Sequence, residues 1–131
     1  MNRPEFEDHA QEILRQPDIR NVAQHYSKRK TSGFWLLEYG DKFVGLIGLD
    51  EGFVRHFFVE PVYRPSGIQQ DLLEHAVKHA FANGAASVQA IECSLVPYQR
   101  QCFKNVGFVV SAREKTLGLL RWAVDRHTLI R

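Results

Sequence analysis

Cysteine is scarce in this sequence: Cys93 and Cys102 are its only two, and they lie nine positions apart. That spacing matches neither the Cys-x-x-Cys pairs of zinc and redox sites nor the cysteine framework of small secreted domains. No stretch approaches the roughly 18 consecutive apolar residues of a membrane span, and the polar amino terminus does not resemble a signal peptide. We expect a cytoplasmic location, without membrane contact by this segment, either alone or as the soluble domain of a larger or membrane-anchored protein.

The sequence also lacks a strong excess of one charge. The formal net charge is +2, and the densest basic run is only Lys28-Arg29-Lys30. Since nucleic-acid binding needs a clustered basic surface, no nucleic-acid partner is expected. The 131 residues, of which 44% are hydrophobic, suffice for one domain with a real core, and no repeat or linker divides them. We predict a single domain over residues 1–131.

The amino-terminal part of the chain has a helical pattern. Pro4 suits a first helical turn, apolar residues then recur at helical spacing up to Leu14, and Pro17 interrupts the pattern. Asp18 can cap a second short helix, whose apolar positions extend to Tyr26. We therefore predict two helices before the first strand.

The hydrophobic period then changes to that of strands. The segments Phe34–Tyr39, Phe43–Leu49 and Phe53–Val59 are rich in aromatic and branched residues. Between the first two, Gly40-Asp41 is a two-residue hairpin signal, and Glu60-Pro61 stops the third. The pattern predicts three consecutive antiparallel strands.

A longer helix and a second group of strands follow. Apolar residues at helical spacing predict an amphipathic helix over Gly67–Asn83, which Gly84 ends. The remaining predicted elements are, in order, a strand (Ser87–Cys93), a short helix (Pro97–Lys104) and a final hairpin (Phe108–Ala112 with Leu117–Val124). The complete predicted order is α-α-β-β-β-α-β-α-β-β.

Two motifs within this order resemble those of a known family. The segment Phe58–Gln69 (FVEPVYRPSGIQ) is similar to V-x-P-x-[YF]-R-x-x-G-x-G/A, and Phe103–Phe108 (FKNVGF) is similar to Y-x-x-x-G-F. With the element order, these motifs make residues 33–125 resemble the GNAT N-acetyltransferases. The resemblance implies an α/β (α+β) fold with a mixed, mostly antiparallel sheet flanked by helices, and acetyl-CoA as co-substrate.

The resemblance has two further implications. Phe34-Trp35 and Val44-Gly45 bear a faint likeness to the membrane-anchored eukaryotic N-acetyltransferases that act on aspartate or cysteine conjugates. GNAT domains normally begin with a strand beside the first hairpin, and no such strand is recognisable before Phe34. We therefore expect the first strand to be missing, and the unpaired strand edge to favour a homodimer or to mark a missing upstream segment.

The resemblance implies an acetyl-CoA site at the start of the long helix. A helix amino terminus offers a pyrophosphate unpaired backbone N–H groups and the positive end of the helix dipole. The candidate cofactor-binding residues are Phe58, Val59, Arg64, Pro65, Ser66, Gly67, Ile68 and Gln69. Two of them depart from the family pattern, because Gln69 occupies the final glycine or alanine position and Pro65 has no N–H.

The same residues also fit a purely structural interpretation. Ser66-Gly67-Ile68-Gln69 matches a capping box, in which Ser66 accepts a hydrogen bond from the N–H of Gln69 and the Gln69 side chain reaches back to the N–H of Ser66. Such a cap would occupy amides that a pyrophosphate needs.

The reaction implied by the resemblance is attack of a neutral amine on a thioester, which needs a proton acceptor for the amine. His56 lies mid-strand and Glu92 lies on the next predicted strand, so both are candidates for this base. Strict alternation along the strand predicts that His56 shares a face with Val54 and Phe58.

The departing thiolate also needs a proton donor. At the position of the family's acid tyrosine this chain has Phe103, which cannot donate a proton. Tyr98, five residues earlier on the same predicted helix, is the remaining candidate acid. His75 and His79, four residues apart on the long helix, are expected to belong to a solvated face, and no metal site is predicted.

Two hypotheses about function stay open at this point. The first is an enzyme that transfers acetyl from acetyl-CoA to an amine of a small molecule or peptide. The second is a degenerate GNAT fold kept as a binding or assembly module, which the residues at Pro65, Gln69 and Phe103 favour.

Overall fold

A computed structural model describes residues 18–21, 31–93, 99–114 and 119–129 of the chain. The elements within these residues are, in chain order, β1 (Asp18–Asn21), β2 (Gly33–Tyr39), β3 (Lys42–Asp50), β4 (Phe53–Val59), a 3-10 turn (Pro61–Ser66), α1 (Ile68–Ala82), β5 (Ser87–Cys93), α2 (Arg100–Val106), β6 (Val109–Glu114) and β7 (Leu119–Asp125).

The strands form one mixed sheet in the order β1-β2-β3-β4-β5-β7-β6. Every neighbouring pair is antiparallel except β4 and β5, which run parallel. The connection between these two strands contains α1, which packs on β2, β3, β4 and β5 and also contacts α2. The mixed, mostly antiparallel sheet with helices that the sequence predicted is therefore confirmed.

The first strand corrects two predictions. Asp18–Asn21, predicted as the start of a helix, pairs antiparallel with β2, and Ile19 lies opposite Leu37. Ile19 is partly buried against the core, and the backbone groups of the β2 edge supply hydrogen-bond partners from outside the segment. The first strand is thus present, and the edge whose exposure suggested a homodimer is occupied. The predicted helix that ends at Leu14, and the rest of the second predicted helix, lie outside the described residues.

The helix α1 closes one side of the sheet. Its fully buried side chains recur at helical spacing and are Leu72, Leu73, Ala76, Val77 and Ala80. Trp35 of β2 lies against this helix, and its ring centroid is 6.1 Å from that of His75 and 5.0 Å from that of His79. These two histidines therefore border the core on one side.

A second part of the core lies under α2. Phe103 stacks on Trp122 of β7 with ring centroids 5.7 Å apart, and its edge contacts Phe108 at 5.2 Å and Phe57 of β4 at 6.1 Å. A fully buried phenylalanine such as Phe103 or Phe108 contributes roughly 1.5–3 kcal/mol through removal of apolar surface from water. The predicted start of this helix at Pro97 lies outside the described residues.

A β-bulge interrupts β4. Gly48 pairs with His56, whereas the next residue of β3 pairs with Val54, so Arg55 is the extra residue of the bulge. The prediction that His56 shares a face with Val54 is wrong, because the bulge reverses the alternation between them. His56 and Phe58 are exposed, while Val54 is buried in the core.

Candidate functional site

The parallel strands β4 and β5 pair at one position only. Phe53 lies opposite Gln89, whose N–H donates to the Gly52 carbonyl at 2.9 Å. Beyond this pair the two strands diverge, and we call the space between their carboxyl halves the strand gap. In sheets with parallel strands, ligands bind outside the carboxyl ends at such a switch of direction.

The amino terminus of α1 lies at the carboxyl end of β4. Its N-cap residue is Gly67, in the left-handed conformation with φ of 85°, and no side chain caps the helix. The Ser66 hydroxyl instead donates to the Tyr63 carbonyl at 2.6 Å. The predicted capping box is therefore wrong, because the left-handed Gly67 takes the N-cap position that Ser66 was expected to hold. The first N–H groups of α1 keep no side-chain partner among the described residues.

Gln69, the other member of the predicted capping box, is turned into the protein. It is 6% exposed, and its Oε1 is buried without a hydrogen-bond partner among the described residues. Burial raises the pKa of the Cys102 thiol on α2 to about 12. Because its side chain lies inside, Gln69 does not cover the amides in front of the helix.

A cleft of about 450 Å³ lies beside this helix terminus. Its lining residues come from the 3-10 turn, α1 and α2, and are Arg64, Pro65, Gly67, Gln69, Gln70, Gln101, Cys102 and Asn105. Asn105 donates to the Gln70 side chain at 3.0 Å and accepts from Gln101 at 2.8 Å, so a chain of amides joins the two helices across the cleft.

Four of the predicted cofactor-binding residues, at positions 64, 65, 67 and 69, line this cleft. Ser66 is exposed next to it, and Ile68 is buried under it. The α2 residues of the cleft were missed by sequence reasoning. The signal that could have found them is the pair Gln101 and Asn105, two polar residues four positions apart on the predicted short helix.

Arg64 joins the 3-10 turn to β4. Its Nε donates to the Val59 carbonyl at 2.8 Å, and its guanidinium lies 5.5 Å from the centroid of the Phe58 ring. The arginine therefore has a structural task and also adds positive charge to the wall of the cleft. The predicted residues Phe58 and Val59 belong to this contact rather than to the cleft lining itself.

The two candidate bases do not come together. His56 lies on the sheet face away from α1, next to Phe34, and a Cβ added at Gly48 would lie 3.4 Å from the His56 ring and 3.2 Å from the Phe34 ring. Glu92 is buried on the other face, where its Oε1 accepts from Arg100 Nε at 3.2 Å. Its Oε2 is buried without a hydrogen-bond partner among the described residues.

The structure describes the position of the family's acid tyrosine but not the candidate acid. Phe103, at the position of the family's acid tyrosine, is 1% exposed and forms part of the core. Tyr98 lies outside the described residues. Within the described ranges, no helix combines the length and hydropathy needed to cross a membrane.

Comparison with known proteins gives a family match over most of the chain. The model of the acetyltransferase (GNAT) domain family matches residues 4–122. None of the curated proteins compared matches the chain significantly.

Solved structures with the same fold are numerous, and three of them illustrate the likeness. IAA acetyltransferase from Bacillus cereus superposes with a TM-score of 0.69 at 15% identity, over 84% of this chain and 99% of that one. A putative streptothricin acetyltransferase from Bacillus anthracis, in complex with acetyl coenzyme A, has a TM-score of 0.67 at 15% identity, over 79% and 68%. An acetyltransferase from Bacillus subtilis, in complex with CoA, has a TM-score of 0.67 at 14% identity, over 84% and 99%.

Proposed function

Because this chain belongs to the GNAT acetyltransferase family, we propose that it transfers an acetyl group from acetyl-CoA to an amine of a small molecule or peptide. The observation that carries this proposal is the amino terminus of α1, which has no side-chain cap and lies beside the cleft. Structures of two similar proteins contain acetyl coenzyme A or CoA, which supports the same cofactor here.

The residues present fit the phosphates of acetyl-CoA. The first amides of α1 can donate to a pyrophosphate, and Arg64 adds positive charge beside them. No atom lies within 4 Å of the position that a Cβ of Gly67 would take, so the approach to these amides is open. The two departures from the family pattern are compatible with this site, since the Gln69 side chain points inward and Pro65 lines the cleft without covering the helix end.

Acetyl-CoA supplies an activated acyl thioester when it is bound. We propose that His56 accepts the proton of the attacking amine, because imidazole exchanges protons near neutral pH and His56 is exposed. Its face of β4 also carries Phe58, which is 43% exposed. Glu92 stays the second candidate base, since its Oε2 has no partner among the described residues. Tyr98 stays the candidate acid from the sequence alone.

One experiment tests the cofactor site directly. Gly67→Glu places a carboxylate in front of the helix terminus, and we expect it to abolish the thermal shift that acetyl-CoA produces in the parent protein. Gly84→Glu is the matched control, because Gly84 is also left-handed, with φ of 98°, and also has no atom within 4 Å of its Cβ position. Absence of any shift in the parent protein at millimolar acetyl-CoA would exclude the proposal.

The alternative function is a GNAT fold that binds but does not turn over. The burial of Phe103 favours it, because the aromatic ring at the acid position has no proton to give. An acetylation assay with a panel of primary amines, in which the release of free CoA thiol is measured, separates the two functions. If His56→Gln turns over as fast as the parent, His56 is not the base. If acetyl-CoA binds but no amine is acetylated, the chain is a binding module rather than an enzyme.

Oligomeric state and compartment are the remaining predictions from the sequence. We keep the homodimer and the cytoplasmic location as proposals, although the pairing of β1 with β2 removes the original reason for the dimer. Light scattering of the purified chain decides the first of them.

A further inference from the structure

Two adjacent residues at the start of α2 reach the two diverging strands. Gln99 Nε2 donates to the Phe57 carbonyl of β4 at 2.6 Å. Arg100 Nε donates to the Glu92 carboxylate of β5 at 3.2 Å. The start of α2 therefore spans the strand gap and is bonded on both sides of it.

The backbone of β4 presents a defined edge to this gap. The carbonyls of Phe57 and Val59 both accept hydrogen bonds from side chains, from Gln99 and from Arg64 respectively. In contrast, the N–H of Glu60 donates to the Val44 carbonyl of β3. In a strand, the N–H and C=O of one residue point to the same side, and this side alternates from one residue to the next. The N–H groups of Phe57 and Val59 therefore face the gap, as their carbonyls do.

At this edge the carbonyls of Phe57 and Val59 have hydrogen-bond donors, and the N–H groups of the same residues point into the gap. Two side chains of the chain itself occupy the carbonyls, while β5 has already diverged and its pairing with β4 is confined to Phe53 and Gln89. Among the described residues, no partner in the gap is recorded for the N–H groups of Phe57 and Val59. A ligand that lies along β4 in the gap is therefore favoured if it offers carbonyl oxygens to these two donors. The pantetheine arm of CoA carries two amides and so offers such oxygens.

We propose that Gln99 is a positioning residue for the pantetheine arm of acetyl-CoA. By bonding the Phe57 carbonyl, Gln99 holds α2 at a set distance from β4, while Arg100 holds it to β5. Gln99 thereby helps to set the width of the gap along which the arm would lie, beside the N–H groups of Phe57 and Val59. The inference rests on the proposed function, since it concerns the same cofactor.

Binding of two ligands to Gln99 variants tests this role. Gln99→Leu keeps the size of the side chain without a hydrogen bond, and Gln99→Glu keeps its shape without the donor. Calorimetry with CoA should show about three- to tenfold weaker binding to both, because the internal hydrogen bond that positions α2 is worth about this factor. Adenosine 3′,5′-diphosphate, which lacks the pantetheine arm, should bind both variants as it binds the parent.

The control is Ser111→Ala, which also removes one bond from a side chain to a strand carbonyl, that of Arg121 at 3.3 Å, but on the β6–β7 hairpin. It should leave CoA affinity unchanged. The proposal is overturned if the Gln99 variants bind CoA as tightly as the parent or more tightly, or if they lose affinity for both ligands by the same factor.

A measurement without ligand separates this inference from the proposed function. Hydrogen exchange of the unliganded protein should be faster across α2, residues Arg100–Val106, in Gln99→Leu than in the parent. Unchanged exchange there overturns the bracing role even if CoA binds. A parent protein that binds no CoA, yet shows faster exchange in the variant, rejects the proposed function and confines Gln99 to bracing the fold.

Discussion

Arg100 and Glu92 form an ion pair with Nε and Oε1 3.2 Å apart, in which the Glu92 side chain is 2% exposed and the Arg100 side chain is 37% exposed. The pair is therefore unequal, because solvent reaches the guanidinium but not the carboxylate. Loss of the arginine leaves a buried charge without its partner, whereas loss of both charges leaves none.

Arg100→Ala should consequently lower the free energy of unfolding by about 2 kcal/mol. The double variant Glu92→Gln with Arg100→Ala should recover part of this loss, since the glutamine carries no charge. Urea denaturation followed by tryptophan fluorescence measures both. A single variant within about 0.5 kcal/mol of the parent, the range of an ordinary surface change, would show that Glu92 has another partner.

The glycines of β3 should differ in how they tolerate a methyl group. A Cβ at Gly45 would lie 2.9 Å from the Phe58 carbonyl oxygen and 2.9 Å from a Val59 methyl, and the backbone atom cannot move without opening the β3–β4 pair. At Gly48 the neighbours are rings at 3.2 Å or more, which can rotate. We expect Gly45→Ala to cost about 2 kcal/mol and Gly48→Ala about 1 kcal/mol or less. Thermal unfolding of the two variants decides, and equal losses would contradict the prediction.

The Cys102 thiol should be inert and should make the protein sensitive to alkali. Its pKa is raised from the ordinary value of 9.0 to about 12, so the folded state keeps the proton that the unfolded chain releases first. This contribution to stability is complete below pH 9.0 and is lost as the pH rises towards about 12. Between pH 8 and about pH 10.5, the urea concentration at the midpoint of unfolding should fall further for the parent than for Cys102→Ala.

Alkylation provides an independent check on the same thiol. Iodoacetamide at pH 8 should leave the peptide that contains Cys102 unmodified in the native protein and modify it fully in urea. Rapid modification of the native protein would show that the buried Cys102 thiol becomes accessible to solvent.

The pairing of β1 with β2 should depend on the side chain at position 19. Ile19 packs against the core and lies opposite Leu37, so Ile19→Asp should lower the free energy of unfolding by about 1–2 kcal/mol. It should also accelerate amide exchange along Gly33–Tyr39, because that edge would lose its neighbour. Ile19→Val is the control and should change neither quantity appreciably. Protection of β2 that survives Ile19→Asp would show that β1 is held by other contacts.

Local patterns in the sequence determined most of the elements. The change from helical to strand period, the Gly40-Asp41 turn and the apolar stripe of the long helix predicted β2, β3, β4 and α1 with bounds close to those observed. The order of the motifs then indicated the family. Arg64 and Gly67 belong to one short turn, so their spacing is a local feature that can be read from the sequence. These features could be predicted because each depends on residues close together in the chain.

Tertiary structure alone decided the features that depend on distant partners. Ile19 is in a strand because the edge of β2 offers hydrogen bonds to it, and the bulge at Arg55 arises from how β4 must register with β3. The N-cap of α1 is Gly67 because its backbone is left-handed. The preference of serine for N-cap positions pointed to Ser66 instead. Gln99 contacts Phe57 from 42 positions away, a distance along the chain at which no local pattern carries information.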